Sequence, residues 1–181
     1  MDGEFEISLA GAGEILAVMD YFEDAIGEMN RQGTNFAGWS TEFYPDRDYI
    51  AGIINKGVTY LLRYKGVICG TIALRSAESG GLWGGSGWLH DLPLNQVMSV
   101  HTLCTSPRVA GRHAGRTLLR FAESEARKRG MAALRLDVRR KNPPAIHLYE
   151  SEGYVRCGEC EPVPDIEGDK VFYLYEKYIG E

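Results

Sequence analysis

Residues 97–129, VMSVHTLCTSPRVAGRHAGRTLLRFAESEARKR, constrain the fold more than any other stretch, because they read as a strand, a glycine-containing loop and an amphipathic helix in direct succession. Val97, Val100, Leu103 and Cys104 suit a largely buried strand, and Pro107 stops it. Gly111 and Gly115 then permit a tight turn into a helix N-terminus. The first turn of a helix exposes N–H groups with no intrahelical partner, and the macrodipole adds positive potential where they point. A strand that feeds such a turn makes an anion site, suited to phosphate.

At 181 residues the chain is long enough for one α/β domain spanning residues 1–181, and no Pro/Ser-rich linker or charge block marks a second. Apolar residues at 44% and charged residues at 25% are those of an ordinary globular protein, which sets disorder aside. No apolar run approaches a membrane span, and the opening MDGEFEISLAG lacks the basic and apolar segments of a secretory signal, so a cytoplasmic location without membrane association is expected. A net charge of −5 with no large basic block argues against general nucleic-acid binding. Any anionic ligand must then be held by local dipoles and particular arginines. Cys157 and Cys160 form CGEC, but two more ligands at compatible spacing do not follow, so the expectation is a strand carrying thiols and no metal site.

Phe5 to Leu9 make a first strand. Ile15, Val18, Met19, Phe22 and Ile26 recur at helical spacing through about Met29, and Asp46 is placed to cap a second helix through Asn55. The segment between these helices carries Phe36, Trp39, Phe43 and Tyr44, which form either a substrate wall or a lid packed on the core. Val58–Arg63 and Val67–Leu74 read as a hairpin about Tyr64-Lys65-Gly66. A long glycine-tryptophan connection follows, in which Trp83, Trp88 and His90 either line a pocket mouth or pack a loop tip. Ala133–Val138 is a strand, Pro143 and Pro144 open a short helix, and Tyr154–Glu159 and Val171–Tyr178 make two further strands that pair. This order predicts an α/β fold with a mixed, mostly antiparallel sheet of about seven strands and helices on both faces.

Two signatures stand in this chain in order. Leu103 to Leu119, LCTSPRVAGRHAGRTLL, matches the pattern LAVxPxxRGxGIGxxLL, and Asn142, Ala145, Leu148, Tyr149, Glu150, Gly153 and Tyr154 match NxxAxxLYExxGF. With FYLYEK at 172–177 and the Trp39…Tyr44-Pro45 segment, nearly the whole chain resembles the GNAT superfamily of N-acetyltransferases, in its small bacterial type. Two departures stand out: the usual Arg or Gln of the loop is Ala110, and its middle glycine is His113. If the backbone at 113 needs φ > 0, the imidazole costs about 1 kcal/mol, whereas helical φ/ψ accommodates it without strain.

The resemblance implies a GNAT fold splayed between the fourth and fifth strands and an acetyl-CoA cofactor held there, with pantetheine added along the strand edge. Its cofactor residues would be Leu103, Cys104 and Thr105 of the strand, then Arg108, Ala110, Gly111, Arg112 and His113 of the loop. Ala114, Gly115, Arg116 and Thr117 would follow at the helix start, with Asn142, Ala145 and Tyr149 from the second signature. Arg108, Arg112 and Arg116 read equally as phosphate contacts or as solvated arginines. The N–H of Leu103 would face the thioester carbonyl as an oxyanion donor. Tyr149 would be the acid for the departing thiolate, against the reading of a packed helix tyrosine. A primary amine with a pKa near 10 is neutral in only about one molecule in a thousand at pH 7, so a base is required. The family often carries a carboxylate where Ser99 stands here, and serine cannot serve. His101, taken to share a strand face with Ser99 and Leu103 by simple alternation, is either that base or a structural histidine.

The acceptor implied is a primary amine of a small molecule or peptide, in a pocket offering Trp39, Tyr44, Trp83 and Trp88, with transfer by direct attack in a ternary complex. The alternative is a non-catalytic acyl-CoA-binding sensor of the same fold. An NTP-binding reading of Ala110-x-x-x-x-Gly115-Arg116-Thr117 fits poorly, because alanine and arginine replace the glycine and lysine that a phosphate loop needs. The terminal strands offer an edge for a homodimer.

Overall fold

Each expected element forms within one or two residues of its sequence signal, except that the first helix runs on from Met29 to Gln32. The computed structural model describes residues 5–79, 87–161 and 171–180. The strands are β1 (Phe5–Leu9), β2 (Thr59–Tyr64), β3 (Val67–Ser76), β4 (Val97–Thr105), β5 (Ala133–Arg139), β6 (Val155–Cys160) and β7 (Phe172–Tyr178). The helices are α1 (Ile15–Gln32), α2 (Arg47–Asn55), α3 (Ala114–Lys128) and α4 (Pro143–Ser151). The sheet order is β1-β2-β3-β4-β5-β7-β6. β1–β2, β2–β3, β5–β7 and β6–β7 are antiparallel, and β4 and β5 are parallel, which is the mixed, mostly antiparallel sheet expected. The long connection after β3 is not wholly irregular, because 3-10 turns at Ala77–Ser79 and Leu94–Gln96 close its two ends.

The chain forms two compact units, Met1–Leu74 with His101–Leu118, and Arg75–Val100 with Leu119–Glu181. In the first, the apolar stripe of α1 is buried as its spacing requires: Val18, Tyr21, Phe22, Ala25 and Ile26 pack with Ile50 and Ile54 of α2 and with Leu61 and Cys104 of the strands. Asp46 caps α2, its carboxylate accepting from the Tyr49 N–H at 2.8 Å. The next residue of β2, Leu62, points to the opposite face, where a Cβ on Gly70 would lie 3.2 Å from both Leu62 Cβ and Leu118 Cδ1. Gly70 thus lets the start of α3 approach the sheet closely. Helices therefore cover both faces of this hairpin.

In the second unit, Leu119, Ala122 and Ala126 of α3 and Leu134, Leu136 and Leu174 of the strands are buried. Glu123 accepts from Lys177 and Arg127, and Arg127 reaches the Ile179 carbonyl at 2.8 Å, so α3 is tied by polar contacts to the last strand and the residue after it. Asn142 caps α4 by accepting from the Ala145 N–H, and the prolines expected at its first turn are Pro143 and Pro144. The β4–β5 ladder has three pairs and ends at Ser99↔Arg135, whereas the β5–β7 ladder continues to Arg139↔Phe172.

Candidate functional site

Within the first unit, β4 is held by side chains as well as by its neighbours. The Thr71 hydroxyl donates to the Thr102 carbonyl at 3.1 Å, and the Tyr21 hydroxyl to the Cys104 carbonyl at 3.0 Å. Burial pushes the Cys104 thiol up to about 12, so it stands as an uncharged core group. Thr102 adopts φ 48°, a left-handed backbone inside a strand. The simple alternation that assigns Ser99, His101 and Leu103 to one face therefore fails at this residue, because a left-handed residue interrupts the pleat. His101 and Leu103 are both half-buried, while Ser99 is fully buried.

After β4, Ser106 caps a 3-10 turn at Pro107–Val109 by accepting from the Arg108 N–H. The loop then turns through two left-handed residues, Gly111 at φ 78° and His113 at φ 60°. Of the two conformations open to His113 from sequence, the strained one is present. The Thr117 N–H and hydroxyl both bond the His113 carbonyl, at 2.9 and 3.1 Å, which starts α3. The N–H groups of Ala114 and Gly115 lie in the first turn and have no carbonyl four residues back inside the helix. A Cβ on Gly111 would meet nothing within 4 Å, so the backbone there faces open space. These are the properties of an anion cradle, and a pyrophosphate fits them. The Arg108 guanidinium reaches Asp24 at 3.4 Å, with both side chains exposed, and that of Arg112 lies 4.9 Å above the Tyr64 ring. The backbone is thus the better-defined part of the cradle.

The aromatic segment of this unit is a chain of contacts rather than a loose lid. Trp39 packs edge-on to Phe22 at 6.2 Å and to Tyr44 at 6.4 Å, and Tyr44 packs on Tyr49 at 4.7 Å. The Tyr49 hydroxyl lies 3.2 Å from Thr102 Oγ1, so the run reaches β4. Trp39 therefore belongs partly to the core and Tyr44 to the surface, while Phe43 is 80% exposed and takes no part. Tyr49 carries no motif and gives no sequence signal.

Within the second unit, Tyr149 of α4 is buried between Tyr154 and Tyr175, with ring centroids 5.9 and 6.1 Å away. Burial, and then the charge of Asp137, hold its phenol well above the ordinary value, so it is a protonated donor at neutral pH. Trp83 lies outside the described residues. Trp88 is half-buried with its ring 4.4 Å from the Arg135 guanidinium, so at least one face meets protein. Arg135 is buried, donates from Nε to Glu176 at 2.7 Å and also bonds the His90 carbonyl at 2.8 Å. Glu176 is buried and lies 2.6 Å from His90 Nδ1, and the His90 ring stacks on Tyr178 at 4.3 Å. Arg135 and Glu176 escape sequence reasoning because they are charged residues on strands that otherwise read as apolar. Only their direct cross-strand register brings them together.

A family described as the acetyltransferase (GNAT) family matches residues 21–154. An acetyltransferase of Agrobacterium fabrum is 30% identical over 105 residues, 57% of this chain and 67% of that protein. A streptothricin acetyltransferase of Streptomyces lavendulae is 39% identical over 64 residues, a match that spans about a third of each protein at 35% and 34%. Among solved structures, a GNAT-family acetyltransferase of Listeria monocytogenes superposes with TM-score 0.75 at 21% identity, covering 97% of this chain and 95% of that one. A Salmonella typhimurium acetyltransferase solved with its cofactor acetyl-CoA superposes with TM-score 0.70 at 17% identity, covering 98% and 95%.

Proposed function

Because the chain belongs to the GNAT acetyltransferase family, we propose that it transfers the acetyl group of acetyl-CoA to a primary amine of a small molecule or peptide. The observation that carries this reading is the loop after β4, where left-handed Gly111 and His113 lead into the first-turn amides of Ala114 and Gly115. In this reading those amides and the Arg116 and Thr117 positions hold the pyrophosphate, and Leu103, Cys104 and Thr105 pair with the pantetheine arm. Asn142 and Ala145 complete the cofactor contacts at the start of α4. Acetyl-CoA supplies an activated acetyl thioester, whose carbonyl carbon takes the amine nitrogen while its C–S bond breaks. The Leu103 N–H donates to the carbonyl oxygen as negative charge develops on it. Tyr149, a phenol protonated at neutral pH, gives its proton to the leaving sulfur. Trp39 and Tyr44 form a wall of the acceptor site, and His101 is the imidazole of the strand that carries the oxyanion donor.

The cofactor part of this reading is tested by thermal unfolding. Acetyl-CoA at about a hundredfold excess over its Kd raises stability by about 3 kcal/mol, and ATP at the same concentration leaves the midpoint unchanged. Stabilisation by ATP with none by acetyl-CoA overturns it.

A further inference from the structure

Three hydroxyls stand in a line within the first unit. The Tyr44 hydroxyl donates to that of Tyr49 at 3.1 Å, and the Tyr49 hydroxyl lies 3.2 Å from Thr102 Oγ1. Tyr44 belongs to the aromatic wall, and Thr102 is joined by one peptide bond to Leu103, the oxyanion donor of the acetyl-transfer reading. Tyr49 therefore sits between the two groups that this reading puts on either side of the acceptor. Its own place is fixed from three directions: Asp46 accepts its N–H at 2.8 Å at the start of α2, its ring packs on Tyr44 at 4.7 Å, and its hydroxyl meets Thr102.

Thr102 is a β-branched residue at φ 48°, a backbone conformation that costs energy and that its surroundings must impose. The Thr71 hydroxyl pins its carbonyl at 3.1 Å, and the residue is buried with its own hydroxyl against Tyr49. A hydroxyl offers one hydrogen and two lone pairs. Among the described residues Tyr49 uses two of these three positions, one for Tyr44 and one for Thr102. With Tyr44 donating inward and Tyr49 donating on to Thr102, the position left is a lone pair, on a residue that is only half-buried. A lone pair presented in that way accepts an N–H.

Covalent geometry puts this oxygen within reach of the acetyl group. Thr102 Oγ1 lies no more than about 5 Å from the Leu103 nitrogen, so the Tyr49 oxygen is within about 8 Å of it. A thioester oxygen sits about 3 Å from its N–H donor, an attacking nitrogen about 3 Å from the acyl carbon, and a hydrogen-bonded nitrogen about 3 Å from its acceptor. Laid end to end these lengths exceed the gap, so one amine nitrogen can meet both the acetyl carbon and Tyr49. Resting on the acetyl-transfer reading above, we propose that Tyr49 is a residue of the acceptor site: its hydroxyl oxygen accepts an N–H of the acceptor amine and aims the nitrogen at the acetyl carbon, with Thr102 and Tyr44 as the positioning residues that orient that hydroxyl.

The test compares the unaltered protein with Tyr49→Phe, Thr102→Ala and Thr102→Ser, using whichever of a set of polyamines, amino acids, aminoglycosides and peptides gives the fastest CoA release. Tyr49→Phe keeps the ring on Tyr44 and removes only the hydroxyl. It lowers kcat/KM for the amine by about 10–100-fold, while the Kd for acetyl-CoA stays within about twofold. Calorimetric titration of the same amine into the protein–CoA complex, where no transfer can occur, shows its Kd weakened by about tenfold in Tyr49→Phe. Thr102→Ala lowers kcat/KM in the same direction, and Thr102→Ser, which keeps a hydroxyl, restores it. A kcat/KM for the amine that Tyr49→Phe leaves within about threefold, or a loss matched by an equal loss of acetyl-CoA affinity, overturns the proposal. If Tyr49→Phe does not fold, the Thr102 pair decides, and equal rates in Thr102→Ala and Thr102→Ser overturn it. An unaltered protein that releases CoA with none of these amines overturns the acetyl-transfer reading and this proposal with it, whereas release that survives in Tyr49→Phe overturns the proposal alone.

Discussion

His113 is the residue whose conformation most directly records a trade between stability and site geometry. Its left-handed φ of 60° places a side chain where glycine is preferred, in the loop that presents amides to an anion. His113→Gly is expected to stabilise the protein by about 1 kcal/mol, read as a rise in the denaturant midpoint without a change of slope. At Tyr149, removing only the hydroxyl separates chemistry from packing. Tyr149→Phe keeps the ring between Tyr154 and Tyr175, so the midpoint holds while kcat falls by about 10²-fold or more and acetyl-CoA affinity stays within about twofold. At this scale the loop glycines and Tyr149 were legible in sequence because motif spacing marks them. Arg135 and Glu176 were not, since a buried ion pair across two strands leaves no period in either.

At the scale of elements, the strand–loop–helix from β4 into α3 is the part whose sequence and structure agree most closely, because Pro107, the two glycines and the amphipathic run each act locally. What local patterns cannot show is the left-handed Thr102, which is held by elements distant in sequence, Thr71 donating to its carbonyl and the Tyr49 hydroxyl sharing a hydrogen bond with its own. That is why simple alternation does not carry the face of Ser99 and His101 through to Leu103. The approach of α3 to β3 is equally non-local and gives a sharp expectation. Gly70→Val drives carbon into Leu118, Leu62 and the Cys104 carbonyl 3.3 Å away, at a cost of about 1–3 kcal/mol by denaturant unfolding. The tie between α3 and β7 adds a pH dependence. Burial raises the Glu123 carboxyl, but hydrogen bonds from Lys177 and Arg127 outweigh it and hold the group below its ordinary 4.5. A carboxyl lowered on folding contributes stability above its unfolded pKa and loses it as pH falls through the folded one. Stability is expected to fall between about pH 5 and 3, and the fall is shallower in Glu123→Gln when urea midpoints are compared.

For the molecule as a whole, the two units carry different groups. The first holds the anion loop and the aromatic run, and the second holds Tyr149 and the His90–Glu176–Arg135 group. The likeness in fold to the solved structures extends over nearly the full chain, which is why the fold was legible from two signatures. The acceptor was not, because aromatic residues that wall a pocket and those that brace a core have the same composition, and Trp39 does the second at least in part. The most direct measurement of the central claim is CoA release from acetyl-CoA in the presence of the amine set, with streptothricin, the acceptor named for one relative, among them. The expected result is saturable thiol release matched one for one by acetylated amine and lost in Tyr149→Phe. Binding of acetyl-CoA with no thiol released by any amine would contradict it and leave a binding module in place of an enzyme.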